Sequence, residues 1–322
     1  MLCLQLLFYF LCNGKIMISI ILPIYNEQDG LLSFMETLHE EVVKLGEEYE
    51  IIFVNDGSKD NSLAIIKELC NANPNNKFIN LSRNFGHQIA VSAGIDFAKG
   101  DKVVLMDSDG QDPPFVIAEM LAKMTDGFDV VYAKRIKRED EGAIKKLTAS
   151  VFYKLLNKIT TIDIPLDTGD FRVMNRKVVN ALKQMPEKQR YLRGQIAWLG
   201  FNQTFVTYER KGRNAGETNY TYRKMIRLAL DAITSFSNWP LRLATISGFV
   251  CAFLGFILIL YTLYGRFVLE RYEPGWPSLM ITIVFLGGIQ LLGIGMIGEY
   301  ISRINDNVKN RPLYLVDDTN IS

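Results

Sequence analysis

At 322 residues the chain is long enough for roughly two domains, and 36 Lys and Arg against 35 Asp and Glu leave a net charge of +1. That balance gives no global pull toward nucleic acid. Only His39 and His87 are present, which excludes a histidine-rich metal centre. Cys3, Cys12, Cys70 and Cys251 show neither metal-ligand nor disulfide spacing, as fits a reducing compartment.

The N-terminal run MLCLQLLFYFLC is apolar but too short to span a bilayer, and no basic residue precedes it as in a secretory signal. Met17 stands directly before the first strand pattern, so residues 1–16 read as an over-extended start outside the fold. Strand-like MISIIL (17–22) is followed by a helical pattern over 30–45 and strand EIIFVN (50–55). A helix through Leu69, strand KFINL (77–81), a helix over 88–98 and a strand over 102–106 complete the series. Strands separated by helices of this length predict right-handed βαβ units, hence an α/β fold with a mostly parallel sheet. Ligands bind beyond the carboxyl ends of such strands. Polar clusters fall at those ends, at 23–27, 55–58, 82–87 and 107–109.

The last cluster is the sharpest. The apolar run 103–106 stops at Asp107-Ser108-Asp109, and the period of two along a strand points both aspartates the same way. Two carboxylates facing one space repel unless a cation lies between them. Oxygen donors suit Mg²⁺ or Mn²⁺, which takes further ligands from water and substrate phosphates. A solvated acidic turn is the plain alternative.

Farther along, 243–265 and 274–298 are uncharged runs of 23 and 25 residues, each long enough to cross a membrane. RFVLERYE (266–273) joins them, while Arg223, Lys224, Arg227 and Arg242 precede and Arg303, Lys309 and Arg311 follow. This asymmetry places both termini in the cytoplasm. A buried soluble hairpin is the competing reading. Residues 142–160 and 221–236 mix lysine and arginine with apolar residues, as interfacial helices do, although packing on the catalytic domain also fits the first. Gly293, Gly295 and Gly298 match the dinucleotide fingerprint but lie inside the second apolar run, where glycine serves close helix approach, as do Ala244, Gly248 and Ala252 in the first. The expected organisation is a catalytic domain at 17–210, a juxtamembrane segment at 211–240, two transmembrane helices at 241–304 and a cytoplasmic tail at 305–322.

LPIYNE, VNDGSKD, LSRNFGHQIAVSAG, MDSDGQDPP, DTGDFRVMNR, YLRGQIAWLGF and RNAGETNYTYRKM occur in an order that resembles family 2 glycosyltransferases acting on polyprenyl phosphates. The nearest likeness is to bactoprenol glucosyltransferases, with dolichyl-phosphate mannose synthase more distant. The resemblance implies a GT-A fold, Rossmann-like, with a membrane hairpin. It also implies transfer of one sugar, expected to be glucose from a UDP-sugar, to undecaprenyl phosphate at the inner (plasma) membrane. It places Pro23, Tyr25 and Glu27 at the nucleotide pocket, with Asp56 accepting a hydrogen bond from uracil; turn or helix capping by Asp56 is the alternative. Arg83, Asn84 and Gly86 would meet the sugar nucleotide. Asp107 and Asp109 would hold Mg²⁺ or Mn²⁺ on the diphosphate, with Gln111 nearby.

Asp170 matches the residue usually taken as catalytic base. A phosphomonoester loses its second proton at about pH 6, so the acceptor is mostly a dianion at neutral pH and needs no strong base. Asp170 could instead orient the acceptor or a sugar hydroxyl, complete the metal site, or cap the segment beginning at Phe171. Arg193, Lys211 and Arg213 supply positive charge for the phosphates. Asn219 stands where the family commonly has lysine, leaving Lys211 or Arg223 to take that contact. A basic skirt for anionic lipid explains the same charges. Beyond donor, acceptor and bilayer, homo-oligomers through the hairpin are expected, and no nucleic acid. Two other readings compete: a processive polysaccharide synthase, against which stand the few spans and the absent Q-x-x-R-W, and a catalytically inactive scaffold, against which stand Asp107, Asp109, Asp170 and Arg193.

Overall fold

The computed structural model describes residues 16–135, 168–208, 239–268 and 275–321. The two basic amphipathic segments and the N-terminal apolar run lie outside these residues.

Continuous apolar runs become buried strands. β1 (Met17–Ile24), β2 (Glu48–Asn55) and β3 (Asn76–Leu81) alternate with α1 (Leu31–Lys44) and α2 (Ser62–Ala72). α3 (His87–Phe97), β4 (Lys102–Leu105), α4 (Val116–Thr125) and β5 (Val130–Arg135) follow. β6 (Thr168–Asn175), α5 (Arg176–Lys183), α6 (Leu192–Trp198) and β7 (Gln203–Tyr208) come next. The described strands form one sheet in the order β7-β5-β6-β4-β1-β2-β3-β8, where β8 (Val316–Thr319) comes from the end of the chain. β1 pairs in parallel with β2 and β4, β2 with β3, and β5 with β7, whereas β6 and β8 run antiparallel to their neighbours.

Alternation along the strands divides the core between the two sheet faces. Ile18, Ile20, Leu22 and Ile24 of β1 pack with Leu31, Phe34, Leu38 and Val42 of α1 and with Val116, Ile117 and Met120 of α4. Ile21 points the other way, into a second cluster with Ala90 and Ala93 of α3, Val178 of α5 and Ile196 of α6. α3 lies so close to the sheet that a Cβ on Gly94 would come within 2.3 Å of the Ile21 side chain.

Three features differ from the expectation. β4 stops at Leu105, so Asp107 and Asp109 lie in the turn beyond it and strand alternation does not orient them. The second long helix runs on to Val308, past the end of its apolar run. The chain's end is no plain tail, because Pro312–Ser322 belongs to the same compact unit as the sheet and supplies β8.

The second unit contains α7 (Trp239–Phe267) and α8 (Trp276–Val308). Both are long and apolar enough to cross a membrane, with windows at Trp239–Ile257 and Phe285–Val308. Gly248, Cys251 and Gly255 of α7 face Leu286, Ile289 and Gln290 of α8 across a cavity of about 460 Å³.

Candidate active site

The site forms where β4 and β6 run antiparallel. Their register ends with Leu105 opposite Arg172, so that Asp107, in the turn just past β4, and Asp170, two residues before Arg172 on β6, both lie beyond this last pair. The start of α3 completes the group. His87 Nε2 lies 3.2 Å from Asp170 Oδ2 and 3.6 Å from Asp107 Oδ1.

Asp170 is the best-held side chain here. Its Oδ1 accepts from Arg172 Nη2 at 2.8 Å and from Arg193 Nε at 3.0 Å. Gln88 Nε2 donates to Oδ2 at 3.3 Å, and Gln88 Oε1 accepts from the Leu192 amide at 3.2 Å. Gln88 therefore links Asp170 to α6, the helix that carries Arg193. Arg172, fully buried, also donates to the Asp170 and Gly169 carbonyls and lies 5.2 Å from the centre of the Tyr132 ring. Burial alone would raise the Asp170 pKa, but Arg193, the His87 hydrogen bond and Arg172 hold it well below the usual carboxylate range.

Asp107 has the opposite setting. Burial pushes its carboxyl up to about 6; His87 works against this, and the negative charges of Asp170, Asp112 and Asp109 add to it. Burial disfavours a charged His87, yet its hydrogen bond to Asp170 and the charges of Asp107 and Asp170 hold its pKa above the ordinary imidazole value. Asp109, exposed in the turn, accepts from the Gln111 amide at 3.0 Å. Gln111 and Asp112 are buried, and the Tyr208 hydroxyl donates to Asp112.

Among the described residues no group of three or more Asp, Glu, His or Cys side chains forms a metal cage. The donor set still fits a divalent cation that draws most of its ligands from substrate and water. Its oxygens are hard, and Asp107 is crowded by like charges that a cation would relieve.

The remaining sequence-predicted residues that are described lie at the ends of β1, β2 and β3 and in the loops that follow them. Asp56, 3% exposed, accepts from the Phe85 amide at 2.7 Å and the Gly86 amide at 2.9 Å. Burial raises its pKa and those two bonds partly offset the shift. The contacts visible at Asp56 are thus loop-fixing ones. Gly57, at φ +64°, lets this loop lie flush on the next, since a Cβ there would sit 2.5 Å from the Arg83 carbonyl carbon and the Asn84 nitrogen. Gly86, at φ +101°, caps α3. Arg83 stacks over the Phe85 ring at 4.0 Å, and Asn84 is exposed beside it. The Pro23 carbonyl accepts from Ser108 at 3.1 Å, Tyr25 is 43% exposed, and the Glu27 amide bonds to Ser62. Lys211, Arg213, Asn219 and Arg223 lie outside the described residues.

Sequence reasoning passed over Gln88, Arg172 and Asn26, and named His87 only as the end of a polar cluster. Arg172 had a signal in its spacing of two from Asp170 on one strand. Asn26, at φ +56°, accepts from the Lys59 amide and donates its own amide to Ser58, joining two loops that only the fold brings together.

Residues 19–183 match the model of glycosyl transferase family 2, and residues 239–304 match that of the GtrB C-terminal hairpin. The chain is 47% identical over 304 residues to an uncharacterized glycosyltransferase of Bacillus subtilis, YkcC, covering 94% of each. It is 42% identical over 299 residues to the SfII prophage-derived bactoprenol glucosyl transferase of Shigella flexneri, covering 93% of this chain and 97% of that one. Among solved structures, the mannosyltransferase PcManGT of Pyrobaculum calidifontis, in complex with GDP-Man and Mn²⁺, aligns with a TM-score of 0.48 and 14% identity, covering 97% of this chain and 96% of that one.

Proposed function

Since the chain belongs to glycosyl transferase family 2 and its residues 239–304 match the GtrB C-terminal hairpin, we propose that it moves a single sugar from a UDP-sugar, glucose first among candidates, to a polyprenyl phosphate at the cytoplasmic face of a membrane.

 The two family-like regions occupy separate residues, 19–183 and 239–304. Support comes from the likeness to bactoprenol glucosyl transferases and from one observation above all: Asp107, Asp170, Arg193 and His87 converge beyond the carboxyl end of β4.

In this reading an acceptor phosphate oxygen attacks the anomeric carbon while the bond from that carbon to the nucleoside diphosphate breaks on the opposite face. An α-linked donor then gives a β-linked product. Asp170 is ill suited to take a proton, since four donors hold it ionised; its work is to fix Arg193 and His87. Arg193 is placed to stabilise negative charge developing on the departing diphosphate. Asp107 and Asp109 would hold Mg²⁺ or Mn²⁺, which when bound supplies further charge neutralisation at the diphosphate. An even number of membrane crossings is what allows one sheet to receive both β7 and β8 from either side of α7 and α8 in the chain, in keeping with two spans.

The test is an extraction assay on membranes given undecaprenyl phosphate, Mg²⁺ or Mn²⁺, and a panel of labelled nucleotide sugars. Label from one donor should enter the lipid phase as a single sugar, and Asp109→Ala should lower transfer by at least about a hundredfold while leaving the protein folded and membrane-bound. Long polymer would replace this reading with a synthase, and transfer from no donor would remove it. Full activity in the variant would take the cation out of the mechanism.

A further inference from the structure

The last residues of the chain follow both apolar helices, yet they grip the donor side of the catalytic sheet. β8 pairs antiparallel with β3, with Ile79 opposite Thr319 and Leu81 opposite Val316. The contact runs on past the strand, where the Ser82 amide donates to the Leu315 carbonyl at 2.9 Å. Ser82 opens the 82–86 loop that carries Arg83, Asn84 and Gly86. One residue earlier, the Tyr314 hydroxyl donates to Asp96 at 2.9 Å, fastening the tail to α3, whose first turn carries His87 and Gln88.

A polar relay reaches inward from the same segment. Asp317 Oδ2 accepts from Asn80 Nδ2 at 3.0 Å, and Asn80 Oδ1 accepts from Asn55 Nδ2 at 2.7 Å. Asn55 Oδ1 then accepts from the Ser58 amide at 3.4 Å. Asn80 is 7% exposed and Asn55 1%, so each depends on protein partners. Asn55 directly precedes Asp56, whose carboxylate holds the Phe85 and Gly86 amides. The tail thus holds the 55–58 loop through side chains and the 82–86 loop through the backbone, and Gly57 presses these loops together.

We propose that β8 is a working part of the nucleotide-sugar site: Asp317 is a positioning residue that, through Asn80 and Asn55, sets the two donor loops. Donor affinity thereby depends on a segment that comes after both apolar helices. The inference rests on the donor reading of these loops given above.

The test uses the full-length protein in detergent and compares Asp317→Ala with Asp318→Ala. Both aspartates are exposed on the same short strand, so neither change empties a core. The Asp318 carboxylate instead pairs with Lys67 on the outer surface, at 2.6 Å. UDP binding is measured by calorimetry in the presence of Mn²⁺, and hydrogen exchange is followed at the amides of 82–86. Asp317→Ala should weaken UDP binding roughly three- to tenfold, the scale of one net hydrogen bond, and speed exchange in that loop. Its kcat at saturating donor should stay within about twofold, since the loops still form once donor is bound. Asp318→Ala should move neither reading. Equal UDP affinity in the two variants and the unaltered protein overturns the role of the tail alone. Failure of the unaltered protein to bind UDP overturns the donor reading beneath it.

Discussion

Asp170 and Asp107 face each other across one small space with opposite electrostatic settings. Asp170, with its pKa depressed, stabilises the fold above the ordinary carboxylate pKa of about 3.9, and that contribution is lost only as pH falls through its lower folded value. It is therefore ionised throughout the neutral range, and Asp170→Asn puts an amide where several donors need an acceptor. We expect the variant to lose at least about a hundredfold in turnover, with the same ratio to the unaltered enzyme at pH 6 and pH 8. A ratio that changes severalfold between those values would restore Asp170 as a base. Asp107 has the reverse sign. Between the unfolded value and its folded value of about 6 the native state binds a proton that the unfolded state has released. In EDTA, lowering the pH from 7.5 to 5.5 should accordingly favour the fold at this group, and His87, also raised, acts in the same direction. Thermal unfolding of Asp107→Asn should show a smaller change between those two pH values than the unaltered protein does. An undiminished change would assign the effect elsewhere.

At the scale of elements, loops rather than strands make up the proposed donor side, and one glycine governs how they meet. Gly57→Ala combines a left-handed backbone with a Cβ 2.5 Å from the Arg83 and Asn84 backbone. It should destabilise by about 2 kcal/mol or more, readable as a lowered denaturant midpoint. A midpoint within error of the unaltered protein would mean that the two loops part at little cost. The strands themselves differed in how plainly they could be read. β1, β2, β3 and β4 are buried on both faces and show as continuous apolar runs. β6 was hidden because Arg172 stands at an inward position, tolerable only once Asp170 and two carbonyls receive its donors. β8 was hidden because VDDT is a four-residue edge strand, polar and mostly exposed, with no periodicity to betray it.

At the scale of the whole molecule, the chain supplies β7 and β8 to opposite ends of the sheet and places both long apolar helices between them. A variant ending at Arg311 keeps those helices but leaves the β3 edge uncovered. It should unfold at lower temperature and associate more readily than the full chain, as unpaired edges do, which light scattering in detergent would measure. Unchanged melting and scattering would make β8 dispensable to the fold. What the sequence by itself determined is local or periodic: the α/β alternation, the two apolar spans, and the order of motifs that carries the family, together with the carboxylates and arginine at its centre. Only the tertiary structure decided which groups meet. It brought Gln88 and Arg172 onto Asp170, turned Asp56 onto the 82–86 loop, and folded the chain's end back along β3. These contacts join residues far apart in the chain, 237 positions between Asn80 and Asp317, and such pairings follow from strand order and register, which no local pattern of residues encodes.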